Sequence, residues 1–412
     1  MNIKLELKLK RETLALVKKA AILADKRGIK AWLVGGLVRD IMLGGKDGDV
    51  DITVEGDGMA FARALADLNG AAYKGFEKFG TGKVFFRDGR RIDVASARSE
   101  KYRYTASLPE IKFTTLEKDL FRRDFTINSM AIALNGEKAG ELLDPFGGMK
   151  DIKEKKLRAI HDKSFLDDPT RILRGIRFEG RFGFKMEKKT AGLLKQAVKA
   201  GAFGRAPGER LRDELLLFFA EPDPLKPLLK LEKFGITRAI HRDIKTDKIT
   251  SSFFNKLKKH KGNPPGLDCG LLYMLSIAPT PAALRRLKSA SRWIKAAGGL
   301  IDLKAAVKIL SIKGQKRSAV YSMLAGKEPE ALYFFSIISE GKEIKNNIGI
   351  FMEKTGKIKA DLTGADLRGL GIKPGPVYSK LLKRALLGKI DGEAPGKKEQ
   401  LELVKAVMNS EK

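Results

Sequence analysis

The stretch Leu33-Val-Gly-Gly-Leu-Val-Arg-Asp-Ile-Met-Leu-Gly-Gly-Lys-Asp-Gly-Asp-Val-Asp-Ile-Thr-Val54 decides how the chain is read. It opens on the end of a short apolar strand, Ala31 to Val34, which runs into Gly35-Gly36. Glycines between a strand and a helix leave backbone N–H groups bare, where a phosphate can approach them. With twelve residues between Gly36 and Asp49, Asp49 and Asp51 flank Val50. Strand side chains alternate with period two, so both carboxylates are expected on one face of a strand over 50–54. Like charges held side by side are unfavourable without a cation between them. Mg²⁺, a hard ion with oxygen ligands that also grips phosphates, suits the pair, which makes Asp49 and Asp51 the expected metal ligands. A third acid, Asp93, falls on an expected strand over 91–95 and completes a candidate two-metal centre.

Around this stretch the first 150 residues read as mixed α/β. A helical segment over 12–27 precedes the first strand, Asp57 is an expected N-cap for a helix ending near Gly70, and another strand falls over 83–87. From Asp151 onward the strong patterns are helical, over 169–181, 188–199, 207–220, 225–234, 281–297 and 376–387. Gly262-Asn-Pro-Pro-Gly266 is an expected loop between helical units. The expected fold class is α+β, a small mixed head followed by a long helical remainder. In the segment over 169–181, Asp168 reads as an N-cap with Pro169 at the first helical position. Ile172, Leu173 and Ile176 share one arc, and Arg171, Arg174, Arg177 and Arg181 fall on the other, so one face packs while the other presents guanidinium groups.

Composition narrows the partners. At 412 residues, two to four domains are expected. Lys plus Arg number 81 against 50 acids, a formal charge of +31, which favours a polyanion whose counterions are released on binding. The basic residues are spread along the chain and not gathered on one amphipathic helix, which argues for nucleic acid over a membrane surface. The single cysteine, Cys269, excludes an intrachain disulfide and a cysteine zinc site and fits a reducing, cytoplasmic location. The charged N-terminus does not read as a leader, and no run of about 18 apolar residues occurs. His161-Asp162 suggests a phosphohydrolase centre, but with only His161, His241 and His260 in the chain its several ligands are missing.

Taken together, the Gly-Gly and Asp-x-Asp spacing resembles the polymerase-β-like nucleotidyltransferase superfamily. Asp119-Leu-Phe-Arg-Arg-Asp-Phe-Thr-Ile-Asn-Ser-Met-Ala131 is similar to the second motif of the class II tRNA nucleotidyltransferases and bacterial poly(A) polymerases. Leu143-Asp-Pro-Phe-Gly-Gly-Met-Lys-Asp151, Asp167-Asp-Pro-Thr-Arg-Ile-Leu-Arg-Gly-Ile-Arg-Phe178 and Gly208-Glu-Arg-Leu-Arg-Asp-Glu-Leu215 resemble the third, fourth and fifth. The resemblance implies a nucleotidyltransferase head over 1–145, a helical neck over 146–222, a helical body over 223–300 and a tRNA-binding helical tail over 301–412. It implies Mg²⁺ as cofactor, CTP and ATP as nucleotides, and the 3′ end and elbow of tRNA as partner. Asp49, Asp51 and Asp93 are the implied catalytic carboxylates. Arg122, Arg123, Asp124 and Asn128 are the implied ribose and nucleotide contacts, with Gly35, Gly36 and Arg39 beside them. Asp168 and Arg171 are the implied template for the base, and Arg174 and Arg177 complete the nucleotide-binding set. An amine-bearing base suits a carboxylate acceptor and an arginine donor, as cytosine and adenine do and uracil does not.

The fourth motif begins Asp167-Asp168 where the family commonly has Glu-Asp, which leaves Asp168 intact. Residues 101–115 occupy the place of the family's flexible loop, with Thr-Ala-Ser-Leu-Pro where many relatives have Pro-Ala-Ala-Leu-Pro. Its retained length favours A addition. Basic clusters at Lys256–Lys261 and Arg285–Lys288 suit an RNA backbone, and Leu362–Pro376 resembles a tail segment of the class. A poly(A) polymerase and a non-catalytic RNA-binding relative are the competing readings. The closing helix over 397–408, mixed in charge, speaks against the first, and the intact Asp49, Asp51, Asp93 and Asp168 speak against the second. Neither the oligomeric state nor the choice among CCA, CC and A follows from the motifs.

Overall fold

The computed structural model describes residues 1–259, 264 and 266–410, and the chain divides into two compact units, 1–240 and 241–412. In the first, the helix Arg11–Arg27 buries Leu16, Val17, Ala20, Leu23 and Ala24 at helical spacing and stops at Gly28, whose φ of +62° suits a left-handed C-terminal residue. The strands follow as β1 (Ala31–Val34), β2 (Val50–Val54), β3 (Ala72–Phe76), β4 (Thr81–Phe85), β5 (Arg91–Ser96), β6 (Arg98–Lys101), β7 (Glu110–Phe113), β8 (Ala131–Ala133) and β9 (Leu142–Leu143). Seven of them form one sheet in the order β3-β4-β5-β2-β1-β8-β9. Only the central β2–β5 pair of this sheet is parallel. The helix Gly58–Asp67 makes that possible by carrying the chain from β2 to the edge strand β3, from which β4 and β5 follow antiparallel, and Asp57 caps it by accepting from the N–H groups of Met59 and Ala60. Gly58 lies so near the sheet that a Cβ there would stand 2.5 Å from Ser96 N. The apolar faces of β1, β2 and β5 bury Leu33, Ile52, Ile92 and Val94.

Past the sheet the first unit is helical, with the central helices Thr170–Phe182, Lys188–Lys199 and Gly208–Phe219. These match the expected segments within one or two residues, and the α+β class holds throughout. The segment expected to be a loop over 101–115 is partly strand, because β6 and β7 pair as a hairpin from Arg98↔Phe113 to Lys101↔Glu110.

The second unit packs Phe253 against Phe334 at 4.9 Å and against Tyr273, with Leu271, Leu275 and Leu300 buried in the same unit. The helix expected over 281–297 is two, Pro281–Arg286 and Ser291–Ala305. Lys288 adopts φ +50° and the Ser289 N–H turns back to the Leu284 carbonyl, closing the first helix with no glycine or proline to announce it. The last helices, Pro376–Asp391 and Lys397–Ser410, enclose Leu381, Ala385 and Val404 over Leu362 and Leu367. Gln400, fully buried, satisfies both ends of Asp361 by accepting from its N–H and donating to its carboxylate. The 262–266 loop falls outside the described residues except for Pro264 and Gly266, as does the end of the basic cluster at His260 and Lys261. Lys256 of that cluster is spent inside the unit, donating to the Ile337 carbonyl at 2.8 Å. No helix among the described residues is long and apolar enough to cross a membrane.

Candidate active site

Backbone pairing fixes the acidic centre. Parallel β2–β5 register sets Asp51 directly opposite Asp93, so the two carboxylates emerge side by side from neighbouring strands. Gly35, at φ +74°, turns β1 into the helix Gly36–Met42. A Cβ on it would lie 3.2 Å from Arg123 Nη1 and 3.4 Å from Asp51 Oδ2, so its bareness lets both groups close in. Burial pushes the Asp51 carboxyl up to about 6; Arg123 opposes this, while Asp93 and Asp49 add to it. Asp93 pairs with Lys83 at 3.1 Å, and Arg91 Nε lies 2.7 Å from its Oδ1. That distance is off the hydrogen-bonding line, because the buried Oδ1 accepts no hydrogen bond.

Asp49 differs from expectation. It stands just before β2 and not on it, 84% exposed, with Arg91 at 3.8 Å. It meets Asp51 on the wall of a cavity of about 950 Å³. Among the described residues no group of three His, Cys, Asp or Glu stands close enough to hold an ion. The donor set itself fits a hard divalent cation. All three groups are carboxylates, one buried oxygen lacks a hydrogen bond, and the most buried carboxyl holds its charge poorly without a further positive partner.

Beside the acids opens a cavity of about 630 Å³, walled by Gly35, Gly36, Arg39 and Asp51 from the sheet end. Arg122, Arg123, Asp124 and Asn128 form its floor. Asp119, fully buried, orders that floor by accepting from Arg122 at 2.7 Å and Arg123 at 3.0 Å. Asp124 accepts from Phe125 N, from Asn128 Nδ2 at 2.9 Å and from Arg174 Nε at 2.7 Å. Burial would push its carboxyl up, but Arg174 and the Asn128 bond outweigh that and hold it at about 2. Asn128 in turn accepts from Arg39 Nη1 at 2.8 Å, and the Arg39 guanidinium sits over Phe182 at 4.6 Å.

Asp168, Arg171 and Arg174 supply the opposite wall. The helix starts at Thr170, one residue later than expected, yet Asp168 still caps it by accepting from Thr170 N at 3.1 Å. The arginine arc is presented only in part, since Arg174 is 37% exposed and Arg181 is exposed while the other two are buried. Arg171 is 5% and Arg177 6% exposed. Arg171 donates to Ser164 Oγ at 2.9 Å and to the Arg122 carbonyl at 2.7 Å. Arg177 does not reach this cavity; it is held by Glu221 at 3.2 Å and Glu214 at 3.7 Å. Helical periodicity separates two arcs but is silent on which partners bury the polar one.

Comparison with known proteins agrees with this geometry. Residues 31–158 match the family described as Poly A polymerase head domain. An A-adding tRNA nucleotidyltransferase from Halalkalibacterium halodurans is 31% identical over 96% of this chain and 93% of its own length. The chain belongs to the tRNA nucleotidyltransferase family. An A-adding tRNA nucleotidyltransferase from Geobacter sulfurreducens is 33% identical over 98% of this chain, which spans only 48% of that relative's length. A CCA-adding enzyme solved with CTP and with ATP superposes with a TM-score of 0.78, at 30% identity and 99% of both chains.

The cavity also has lining residues to which the sequence assigned no role. Arg210 and Glu214 line the cavity from the quoted fifth motif, where an Arg-x-x-x-Glu spacing on one helix face was the available signal. Arg98, Glu100 and Tyr102 line it from the hairpin end of the loop segment. Glu100 accepts from Arg122 at 3.0 Å and Tyr102 Oη donates to Glu100 at 2.7 Å. His161 stacks on Phe121 at 5.1 Å, and Asp162 pairs with Lys189, so the His-Asp dipeptide serves packing.

Proposed function

We propose that the chain adds nucleotides, the terminal adenosine among them, to the 3′ end of tRNA, with Mg²⁺ held by Asp49 and Asp51 and with Asp93 as the third carboxylate. The observation that carries this reading is one cavity in which Asp51, paired across the sheet with Asp93, faces Asp168 and Arg171. It is supported by near full-length similarity to an A-adding enzyme and to a CCA-adding enzyme solved with CTP and ATP. When bound, Mg²⁺ supplies Lewis-acid activation of the attacking hydroxyl and stabilisation of the leaving pyrophosphate. The RNA 3′-oxygen bonds to the α-phosphorus as the bond to the β-phosphate oxygen breaks. Gly35 and Gly36 offer backbone N–H groups to the triphosphate, and Arg122 and Arg123 offer guanidinium forks. Asp124 and Asn128 accept and donate at the ribose hydroxyls, held in place by Arg39 and Arg174. Asp168 accepts from the exocyclic amine of cytosine or adenine while Arg171 donates to the neighbouring ring nitrogen. Arg177 braces the wall from behind.

In this reading residues 1–145 are the head, 146–222 the neck, 223–300 the body and 301–412 a tail for the tRNA elbow. A cytoplasmic location follows from the substrate. The test is single-nucleotide mapping on tRNAs ending before CCA, after C and after CC, each with Mg²⁺ and CTP, ATP or both. One adenosine on the last tRNA is expected, and CTP use on the shorter two would mark a complete CCA enzyme. Long A tracts on all three would overturn the tRNA reading in favour of poly(A) synthesis. Asp51→Ala should abolish transfer yet leave tRNA affinity unchanged; retained transfer would remove the metal assignment and favour another centre.

A further inference from the structure

The carboxylate assigned to the base is not free to turn. Thr170 N and Oγ1 donate to Asp168 Oδ1 at 3.1 and 2.6 Å, and Arg210 Nη2 donates to Oδ2 at 2.5 Å. Arg210 Nη2 also reaches Thr170 Oγ1 at 3.4 Å, closing a ring of three side chains. Arg171 Nε stands 3.9 Å from the same Oδ2. Asp168 is 8% exposed, whereas the Arg210 side chain is 38% exposed and lies on the cavity wall. Arg210 comes from the fifth motif, on the separate helix Gly208–Phe219. A small buried aspartate with its own N-cap bond needs no second arginine for helix capping alone.

We propose that Arg210 is a positioning residue for base selection, which with Thr170 holds the Asp168 carboxylate in the one orientation that accepts from an exocyclic amine. The proposal rests on the reading of Asp168 as the base-contacting group. An ionised carboxylate can only accept. Cytosine and adenine present an amine at that edge, whereas uracil and guanine present a carbonyl oxygen, which meets the carboxylate acceptor to acceptor. The penalty against the wrong base persists only while the carboxylate cannot swing aside. A loosened Asp168 gives way, and a carbonyl-bearing base then enters at lower penalty. Arg210 therefore sets the ratio between nucleotides more than the rate with the right one.

The test uses the full chain with tRNAs ending before CCA and after CC, and measures kcat/KM for CTP, UTP, ATP and GTP separately. Arg210→Gln removes the charge at similar length, Thr170→Val removes the hydroxyl at similar shape, and Arg210→Lys keeps the charge. Thermal unfolding of each variant reports folding. The ratio of the accepted amine-bearing nucleotide to its carbonyl counterpart, ATP to GTP or CTP to UTP, should fall about tenfold in Arg210→Gln and Thr170→Val, the scale of one charge-assisted hydrogen bond. Arg210→Lys should restore part of it. An equal slowing with all four nucleotides, or an unchanged ratio, would overturn the proposal provided Asp168→Asn still lowers the ratio. Should Asp168→Asn also leave the ratio unchanged, the base-reading role of Asp168 falls and this inference with it.

Discussion

Replacing Arg174 with methionine strips the Asp124 carboxylate of the cation that pairs with it at 2.7 Å while keeping the length of the side chain. Asp124 is 7% exposed and retains its bonds from Phe125 N and Asn128. Holding it at about 2, against an ordinary value of 3.8, corresponds to roughly 2–3 kcal/mol. Removing one partner of a buried pair commonly destabilises by about 3–5 kcal/mol, because the other charge is left uncompensated. Arg174 is 37% exposed and shares Glu214 with Arg177, so the lower end, about 3 kcal/mol, is expected at pH 7. The sign with pH follows. Because the folded Asp124 titrates below its unfolded value, the stability that Arg174 contributes is fully present above about pH 4 and is lost as pH falls toward 2, so the gap between the two proteins should narrow over that window. The chain has two tryptophans, Trp32 in the first unit and Trp293 in the second, so a Trp293→Phe background leaves Trp32 to report urea unfolding of the first unit alone. Asp124→Asn, Arg174→Met and the double variant complete a cycle with an expected coupling of about 2 kcal/mol. A loss below about 1 kcal/mol in Arg174→Met, or single effects that sum to the double, would refute the ion-pair argument.

Three further expectations are simpler. Burial, with Arg171 adding, pushes His161 down to about 4, so the unfolded chain binds this proton first and stability drains as pH falls from 6.5 toward 4; His161→Phe, which keeps the stack on Phe121, should reduce the drop in melting temperature between pH 7 and pH 5. Glu330 is fully buried and accepts both bonds from Arg292 Nη2, while Glu328 accepts from its Nε at 3.1 Å, so Arg292→Ala should destabilise the second unit by about 1–2 kcal/mol, read from Trp293 fluorescence in a Trp32→Phe background. Gly58→Ala would set a Cβ 2.7 Å from Ala95 C, and urea titration should show a loss of about 1–3 kcal/mol.

Much of this was legible in the sequence where chemistry and periodicity coincide. Asp51 on a period-two strand and Asp93 on another were sufficient to anticipate two facing carboxylates, although the parallel register that makes them neighbours is a long-range property of the sheet. Asp49 was misjudged by one residue of strand, because alternation predicts a face only while the ladder continues and the ladder begins at Val50. The arc of Arg171, Arg174, Arg177 and Arg181 was right in angle, but Arg171 and Arg177 are buried where a presented face was expected. Its partners, Asp124, Glu214, Glu221 and the Arg122 carbonyl, lie far away in sequence. The break at Lys288 gave no signal, since a lysine in a left-handed conformation is chosen by its surroundings and not by propensity.

β1 has two neighbours of very different age in a growing chain. Its Leu33 faces Ile52, made soon after it, and Ile132, made much later. While synthesis has passed β5 but not β8, the segment Trp32-Leu33-Val34 is an uncovered, apolar sheet edge, ready to pair with another nascent chain. A premature stop between β7 and β8 would make that exposure permanent, so such a fragment should aggregate even though every carboxylate of the acidic centre has already been synthesised.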